Sequence, residues 1–434
     1  MRSGRFGLNA YDALDKKKLE REIRDEARFS ELDPKSPRDA MKSSLHAGDP
    51  QKLGFSLPAL QRLETAIGEA IARRRFPGAV SLIARRGEVA WFNVQGKLDP
   101  QTDAAMPADA IFRIFSMTKP IVSVAIMMLL EEGRVLLGDP VAKYIAEFAR
   151  LKVAVEGEAG LEYVEARRPI TLQDLLRHTS GLTYDFIASG AVQKLYAEAG
   201  LRRRNRSNEE FCNVLAGMPL YHQPGTHWDY SFSTDVLGRV VEVVAGKPLR
   251  EVLREKILVP LGMNETDFSV PAEKQARIAE AFAKDPETGE IAALYDPRKV
   301  PQMESGGGGL VSTVQDYARF LQMLLNGGSL DGVRLLGRKS IELMTANHLS
   351  SDVVIGSDLL PPGYGFGLGF AVRTAQGLSA GPGSIGQYFW GGIAGTTFFV
   401  DPREELFALS LIQAPAQREY YRALFRNLVY AALD

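Results

Sequence analysis

Phe112-Arg-Ile-Phe-Ser116-Met-Thr-Lys119-Pro120 runs directly into Ile121-Val-Ser-Val-Ala-Ile-Met-Met-Leu-Leu130. From Ile121 to Leu130 only Ser123 is polar, so the pattern predicts a helix buried all round. Pro120 fits its first turn, where the N–H has no partner in any case. Glu131-Glu-Gly133 ends it, with Gly133 as the C-terminal cap. The helix is expected over 116–132, with Ser116 at its N-terminus. Residues at i and i+3 lie one above the other on a helix face, so the Ser116 hydroxyl and the Lys119 amine face each other across one turn. A helix N-terminus favours developing negative charge, and burial disfavours a charged ammonium. Those are the conditions an activated serine needs. On placement alone the pair reads equally well as a capping serine and a snorkelling lysine.

Upstream of this stretch, Leu60, Leu63, Ile67 and Ile71 give the segment 57–75 a helical period. Gly78–Ala84 and Val89–Val94 read as two strands joined by a turn at Arg86-Gly87, a hairpin. Downstream, helical segments and polar loops dominate from Asp139 to Lys299. Strand character returns late. Gly363 to Phe370 alternates glycine with apolar residues at period two, and Gln387–Gly392, Thr396–Val400 and Leu406–Ile412 follow. Arg418 to Leu433 reads as an amphipathic helix. The expected fold class is α/β (α+β), an antiparallel sheet flanked by helices. The expected division is an N-terminal extension (1–50), an α/β domain (51–138 with 300–434) and an inserted, mostly helical domain (139–299). Within the extension, Lys16 to Glu26 has the opposite charges at i, i+4 of a surface helix.

The 434 residues carry 52 basic and 53 acidic side chains, a formal charge of −1. That balance gives no electrostatic footprint for nucleic acid or an anionic membrane. No run approaches the roughly 18 apolar residues of a membrane span. Cys212 is the only cysteine, so no internal disulfide is available. With Met-Arg-Ser-Gly-Arg-Phe-Gly7 lacking the apolar core of a secretory signal, a cytoplasmic protein is expected. The oligomeric state stays open, a homodimer being one reading.

Two other stretches carry candidate chemistry. Tyr230-Ser-Phe-Ser233 follows the Pro-Gly turn of Gln223-Pro-Gly-Thr-His-Trp-Asp229. A loop-held tyrosine near a lysine can act as a base, although a packed aromatic is the plainer reading. Trp390-Gly391-Gly392-Ile393 ends a strand, and its glycines either let a ligand lie against backbone N–H groups or mark a tight chain crossing. Alternatives lack a template. Ser384 has Pro382 where a Gly-x-Ser-x-Gly elbow needs glycine, His222, His227 and Asp229 lack metal-ligand spacing, and Gly306–Gly309 lacks a P-loop ending. No metal or cofactor is expected.

Taken in order, Ser116-x-x-Lys119, Tyr230-Ser-x-Ser233 and Trp390-Gly-Gly392 resemble the family VIII carboxylesterases, relatives of class C β-lactamases and penicillin-binding proteins. Leu176-Arg-His-Thr-Ser-Gly-Leu182, Gln223-Pro-Gly225, Ser305-Gly-Gly-Gly-Gly-Leu-Val-Ser312 and Tyr364-Gly-Phe-Gly367 resemble that superfamily's connecting segments. The likeness spans about residues 54 to 430. It implies a β-lactamase-like fold, Ser116 as nucleophile, Lys119 and Tyr230 sharing the general-base role, and an oxyanion held by the N–H groups of Ser116 and Ile393. It implies a small-molecule ester as substrate and no cofactor. Two departures stand out: Trp390 occupies the place of the lactamase Lys-Thr-Gly lysine, and Phe232 that of an asparagine. Both are expected to exchange polar contacts with a lactam for apolar surface, favouring small neutral esters. Tyr184, Phe186, Tyr221 and Trp228 are further candidates for pocket walls, core packing being the plainer reading for each. An amidase, a D-amino-acid peptide hydrolase, an acyltransferase and a non-catalytic penicillin-recognition protein share the scaffold and remain rival readings.

Overall fold

The computed structural model describes residues 45–434 apart from Ala159 and Ala293. The expected Lys16–Glu26 helix lies outside the described residues. The sheet has eight strands: β1 (His46–Ala47), β2 (Gly78–Arg85), β3 (Glu88–Gly96), β4 (Tyr364–Phe366), β5 (Ala371–Arg373), β6 (Tyr388–Gly391), β7 (Thr397–Asp401) and β8 (Leu406–Ile412). Their order is β1-β3-β2-β8-β7-β6-β5-β4. Every neighbouring pair is antiparallel except β1 and β3. Strand β1 lies within the stretch read as an extension, so the folded body begins before residue 51.

The β2–β3 hairpin turns at Arg86 and Gly87, both at positive φ (53° and 82°). Such a turn matches the right-handed twist of the flanking strands. Period-two alternation then sorts β2 between two cores. Ala79 and Ile83 pack with Leu60, Leu63 and Ile67 of α1 (Leu57–Ala72). Val80, Leu82 and Ala84 face the opposite core, with Ile121, Val122 and Ile126 of α2 (Thr118–Glu131). A helix with so wide an apolar surface needs partners on every side. They include α3 (Ser233–Ala245) and α4 (Val314–Leu325), which share its core. On the first face α5 (Arg418–Tyr430) joins α1, and the two buried serines Ser81 and Ser410 satisfy each other at 2.7 Å.

The middle of the chain packs into the same core as the sheet. Val153, Leu172, Phe211 and Val240 belong to the same hydrophobic cluster as β2 and α2, and this region also contains a hairpin, Lys152–Gly157 with Gly160–Glu165. The glycine alternation at 363–370 is not one continuous strand. The chain pairs as β4, turns through Gly367 and Gly369 (φ 103°), and returns as β5. A Cβ at Gly369 would sit 2.5 Å from Ser123 Oγ on α2, so the glycines there serve a close chain crossing. Among the described residues no helix is long and apolar enough to cross a membrane.

Candidate active site

Ser116 is not the cap of an α-helix. It sits in a 3₁₀ turn, Phe115–Met117, that leads into α2 at Thr118. The turn is imposed by its surroundings. Phe115 adopts φ 43°, rare for a bulky residue, with its ring edge-on to Tyr295 at 5.1 Å. The Met117 carbonyl accepts from Tyr317 Oη at 2.8 Å, and the Ile114 amide donates to the Leu310 carbonyl at 3.1 Å. Gly133, at φ 70°, is where the chain leaves α2 as expected.

Lys119 lies in the first turn of α2 and is almost wholly buried (1% exposed). Its Nζ donates to Tyr184 Oη at 3.0 Å and to the Gly307 carbonyl at 2.7 Å, and lies 4.5 Å from the centre of the Tyr230 ring. Burial pushes the Tyr184 hydroxyl well above the usual tyrosine range, with further contributions from Asp235 and Tyr230. It stays protonated and accepts from the lysine. In this resting geometry Ser116 Oγ makes no hydrogen bond to Lys119 or Tyr230 among the described residues. Catalytic hydrogen bonds commonly tighten only when substrate binds.

Tyr230 precedes α3 on a loop fixed by a buried polar chain. His178 Nδ1 meets Ser231 Oγ at 3.2 Å, and Ser231 and Ser180 each meet Ser233 Oγ at 2.8 Å. The His178 ring packs 4.8 Å from that of Tyr230. Burial, then the nearby Lys119 charge, holds His178 well below the usual histidine range, so the imidazole is neutral. Tyr230 Oη accepts from Trp390 Nε1 at 3.2 Å. Beyond the apolar surface expected of it, Trp390 donates through its indole N–H to the tyrosine hydroxyl and orients it.

The strand end at β6 runs beside the Ser116 turn. At Gly392 a Cβ would meet the Ile114 carbonyl and Thr396 Oγ1, each at 2.4 Å. At Gly391 it would meet the Arg422 guanidinium and the Thr396 carbonyl at 2.8 Å. At both glycines a side chain would meet protein, which fits the chain-crossing reading. The Gly392 carbonyl accepts from Arg422 Nη2 and from the Gly395 amide. Across a trans peptide the N–H points opposite to the C=O. The Ile393 N–H is thus turned away from Arg422, and it takes no backbone partner among the described residues. Burial draws the Arg422 guanidinium down to about 10, which leaves it charged at neutral pH.

Several of these groups carry no signal in the sequence. Gly307 stands in the sequence only as part of a glycine run, yet its carbonyl is an acceptor for Lys119. That run is strapped down by buried Asp235 in the first turn of α3, whose Oδ1 accepts from Gly307 N at 3.0 Å and Ser305 Oγ at 2.5 Å. Phe232 does not face the site. It packs on Tyr184 (4.3 Å), Phe211 (5.5 Å) and Tyr196 (6.4 Å), backing Tyr184 from the helical core. Trp228 is fully buried and Tyr221 packs against the core, whereas Phe186 is 46% exposed.

The beta-lactamase family pattern matches residues 61–432. The chain is 36% identical over 359 residues to an uncharacterized protein of Mycobacterium tuberculosis, covering 81% of this chain and 89% of that one. It is 31% identical over 370 residues to Esterase EstB of Burkholderia gladioli, covering 80% and 89%. Among solved structures, EstCE1, described as a hydrolase with promiscuous acyltransferase activity, superposes with a TM-score of 0.74 at 27% identity, covering 88% of this chain and 99% of that one. The chain belongs to the beta-lactamase family. Within that family its likeness is to an esterase, EstB, and to a hydrolase, EstCE1.

Proposed function

We propose that the protein is a serine carboxylesterase acting through an acyl-enzyme on Ser116. The observation that carries this reading is the convergence of Lys119 and Trp390 on Tyr230, beside the turn that holds Ser116. Ser116 Oγ attacks the ester carbonyl while its proton passes to the Tyr230–Lys119 pair. The developing oxyanion is met by the N–H groups of Ser116 and Ile393, which suits a site whose donors are fixed before reaction. The alcohol departs with a proton returned through Tyr230, and water then releases the acid by the same route.

The site favours neutral esters over β-lactams. An indole stands where a lysine would offer charge to a lactam carboxylate, and such a charge-assisted contact is worth about 1.5–3 kcal/mol. The test compares p-nitrophenyl esters, nitrocefin and a D-amino-acid amide with wild type and Ser116→Ala. Ester turnover, with an acyl adduct on wild type by intact mass, is expected to vanish in Ser116→Ala. Wild-type ester activity in that variant would sink the reading, and nitrocefin turnover equal to that of a short-chain ester would sink the substrate assignment. A second reading, acyl transfer to an alcohol in place of water, is favoured by the likeness to EstCE1; alcohol added to the ester assay distinguishes it by trapping the acyl group as a new ester. The single, buried Cys212 supports a reducing, cytoplasmic setting.

A further inference from the structure

Four aromatic rings form one unbroken series from the base pair of the site to the surface. Trp390 lies 5.1 Å from Tyr230, Tyr230 lies 5.3 Å from Tyr184, and Tyr184 stacks on Phe186 at 4.8 Å with the planes 24° apart. The inner three are buried and hydrogen-bonded through their polar atoms. Phe186 has no polar atom and is 46% exposed. Its ring is contacted on two sides. The Arg202 guanidinium sits 5.8 Å from its ring centre, and Arg202 Nε is in turn held by Asp185 at 2.8 Å. An exposed aromatic stacked on a buried tyrosine on one side and contacted by a guanidinium on another presents an apolar shelf. On the sheet side Ile393, also exposed at 40%, carries the amide turned away from Arg422.

We propose that Phe186 and Tyr184 form an outer acyl subsite that takes the distal part of an unbranched, uncharged acyl chain. This deepens the esterase reading and rests on it. An acetyl group ends at the reacting carbonyl and does not reach the shelf. A longer chain leaves the Lys119–Tyr230 end of the site past Tyr184 toward the exposed ring of Phe186, where it meets apolar surface and where the neighbouring cation, Arg202, is already paired with Asp185. Each methylene that leaves water there contributes about fourfold to kcat/KM.

The experiment measures kcat/KM for p-nitrophenyl acetate, hexanoate and octanoate with wild type, Phe186→Ala and Phe186→Leu. Wild type is expected to prefer octanoate to acetate, and Phe186→Ala to lower that preference at least tenfold, through KM more than kcat. Phe186→Leu, which keeps most of the apolar area, is expected to restore most of it. An unchanged octanoate-to-acetate ratio in Phe186→Ala overturns the subsite. So does a loss through kcat alone, or one equal for both esters, since that marks a structural role for Phe186. Failure of the underlying reading is separately visible: wild type would then hydrolyse none of the three esters, or Ser116→Ala would hydrolyse them as well as wild type.

Discussion

Asp235 sits behind the lysine rather than beside the substrate, and its removal tests whether the glycine strap positions the base. In Asp235→Ala the strap loses two hydrogen bonds to a carboxylate, from Gly307 N and Ser305 Oγ, each worth about 1.5–3 kcal/mol. The Gly307 carbonyl is then no longer held 2.7 Å from Lys119 Nζ. A misplacement of about 1 Å at a reacting group costs on the order of a hundredfold in rate, about 2.7 kcal/mol. Gly307→Ala strikes the same contact from the other side, because its Cβ would lie 2.3 Å from Asp235 Oδ2. In the double variant the clashing carboxylate is gone, so the second substitution costs little more than the first. The expected coupling is therefore about 2–3 kcal/mol in kcat. The assay is a double-mutant cycle on p-nitrophenyl butyrate, with circular dichroism and Tm recorded for each variant at the assay temperature. Effects that add to within about 0.5 kcal/mol would mean the two sites act independently. A folded Asp235→Ala enzyme with wild-type kcat would refute the positioning argument outright.

Trp390→Phe keeps the ring and deletes the donor to Tyr230; kcat is expected to fall about fivefold to tenfold with little change in KM, in line with one hydrogen bond of about 1 kcal/mol. An unchanged kcat would show that this bond plays no part in turnover. Arg422→Ala frees the Gly392 carbonyl and with it the orientation of the Ile393 N–H, so kcat should drop tenfold or more, since a whole oxyanion donor is worth about 10²–10³; a loss confined to KM contradicts this. Burial alone would raise the Asp174 carboxyl, but hydrogen bonds from Arg168 and Thr171 lower it to about 2. Its stabilising effect is present above the unfolded value of 3.8 and is lost as pH falls from there toward 2, on the order of 2 kcal/mol in all. Thermal melts should therefore show the gap between wild type and Asp174→Asn narrowing over that window, and a gap that stays constant with pH would exclude this linkage.

The legible parts of the sequence were those written in side-chain period and residue type. The apolar strand Gly78–Ala84 in β2, the stripe of Leu60, Leu63 and Ile67 in α1, and the apolar run of α2, interrupted from Ile121 to Leu130 only by Ser123, each follow from the spacing that burial imposes. Ser116, Lys119, Tyr230 and Trp390 were legible as types in an order. The acceptor for Lys119 was not, because a backbone carbonyl at Gly307 has no side chain to announce it. Nor was the turn at Ser116. A positive φ at Phe115 is a product of Tyr295, Tyr317 and the Leu310 carbonyl, all distant in sequence. Phe232 was assigned to the site by its place in a motif, but the direction of a side chain at the start of a helix depends on what packs there, and Tyr184, Tyr196 and Phe211 claim it.

The pairing of β2 with β8 has a consequence for synthesis. Ser81 and Ser410, partners across the middle of the sheet, are 329 positions apart. At roughly 5–20 residues per second the ribosome needs on the order of tens of seconds to travel between them. Throughout that interval the β2–β3 hairpin presents an unpaired edge whose residues from Gly78 to Ala84 are all buried in the finished protein. An exposed apolar edge is a template for pairing with other chains. Yield of active protein should thus depend on translation speed and on chaperones that shield a nascent strand, independently of how stable the completed fold is.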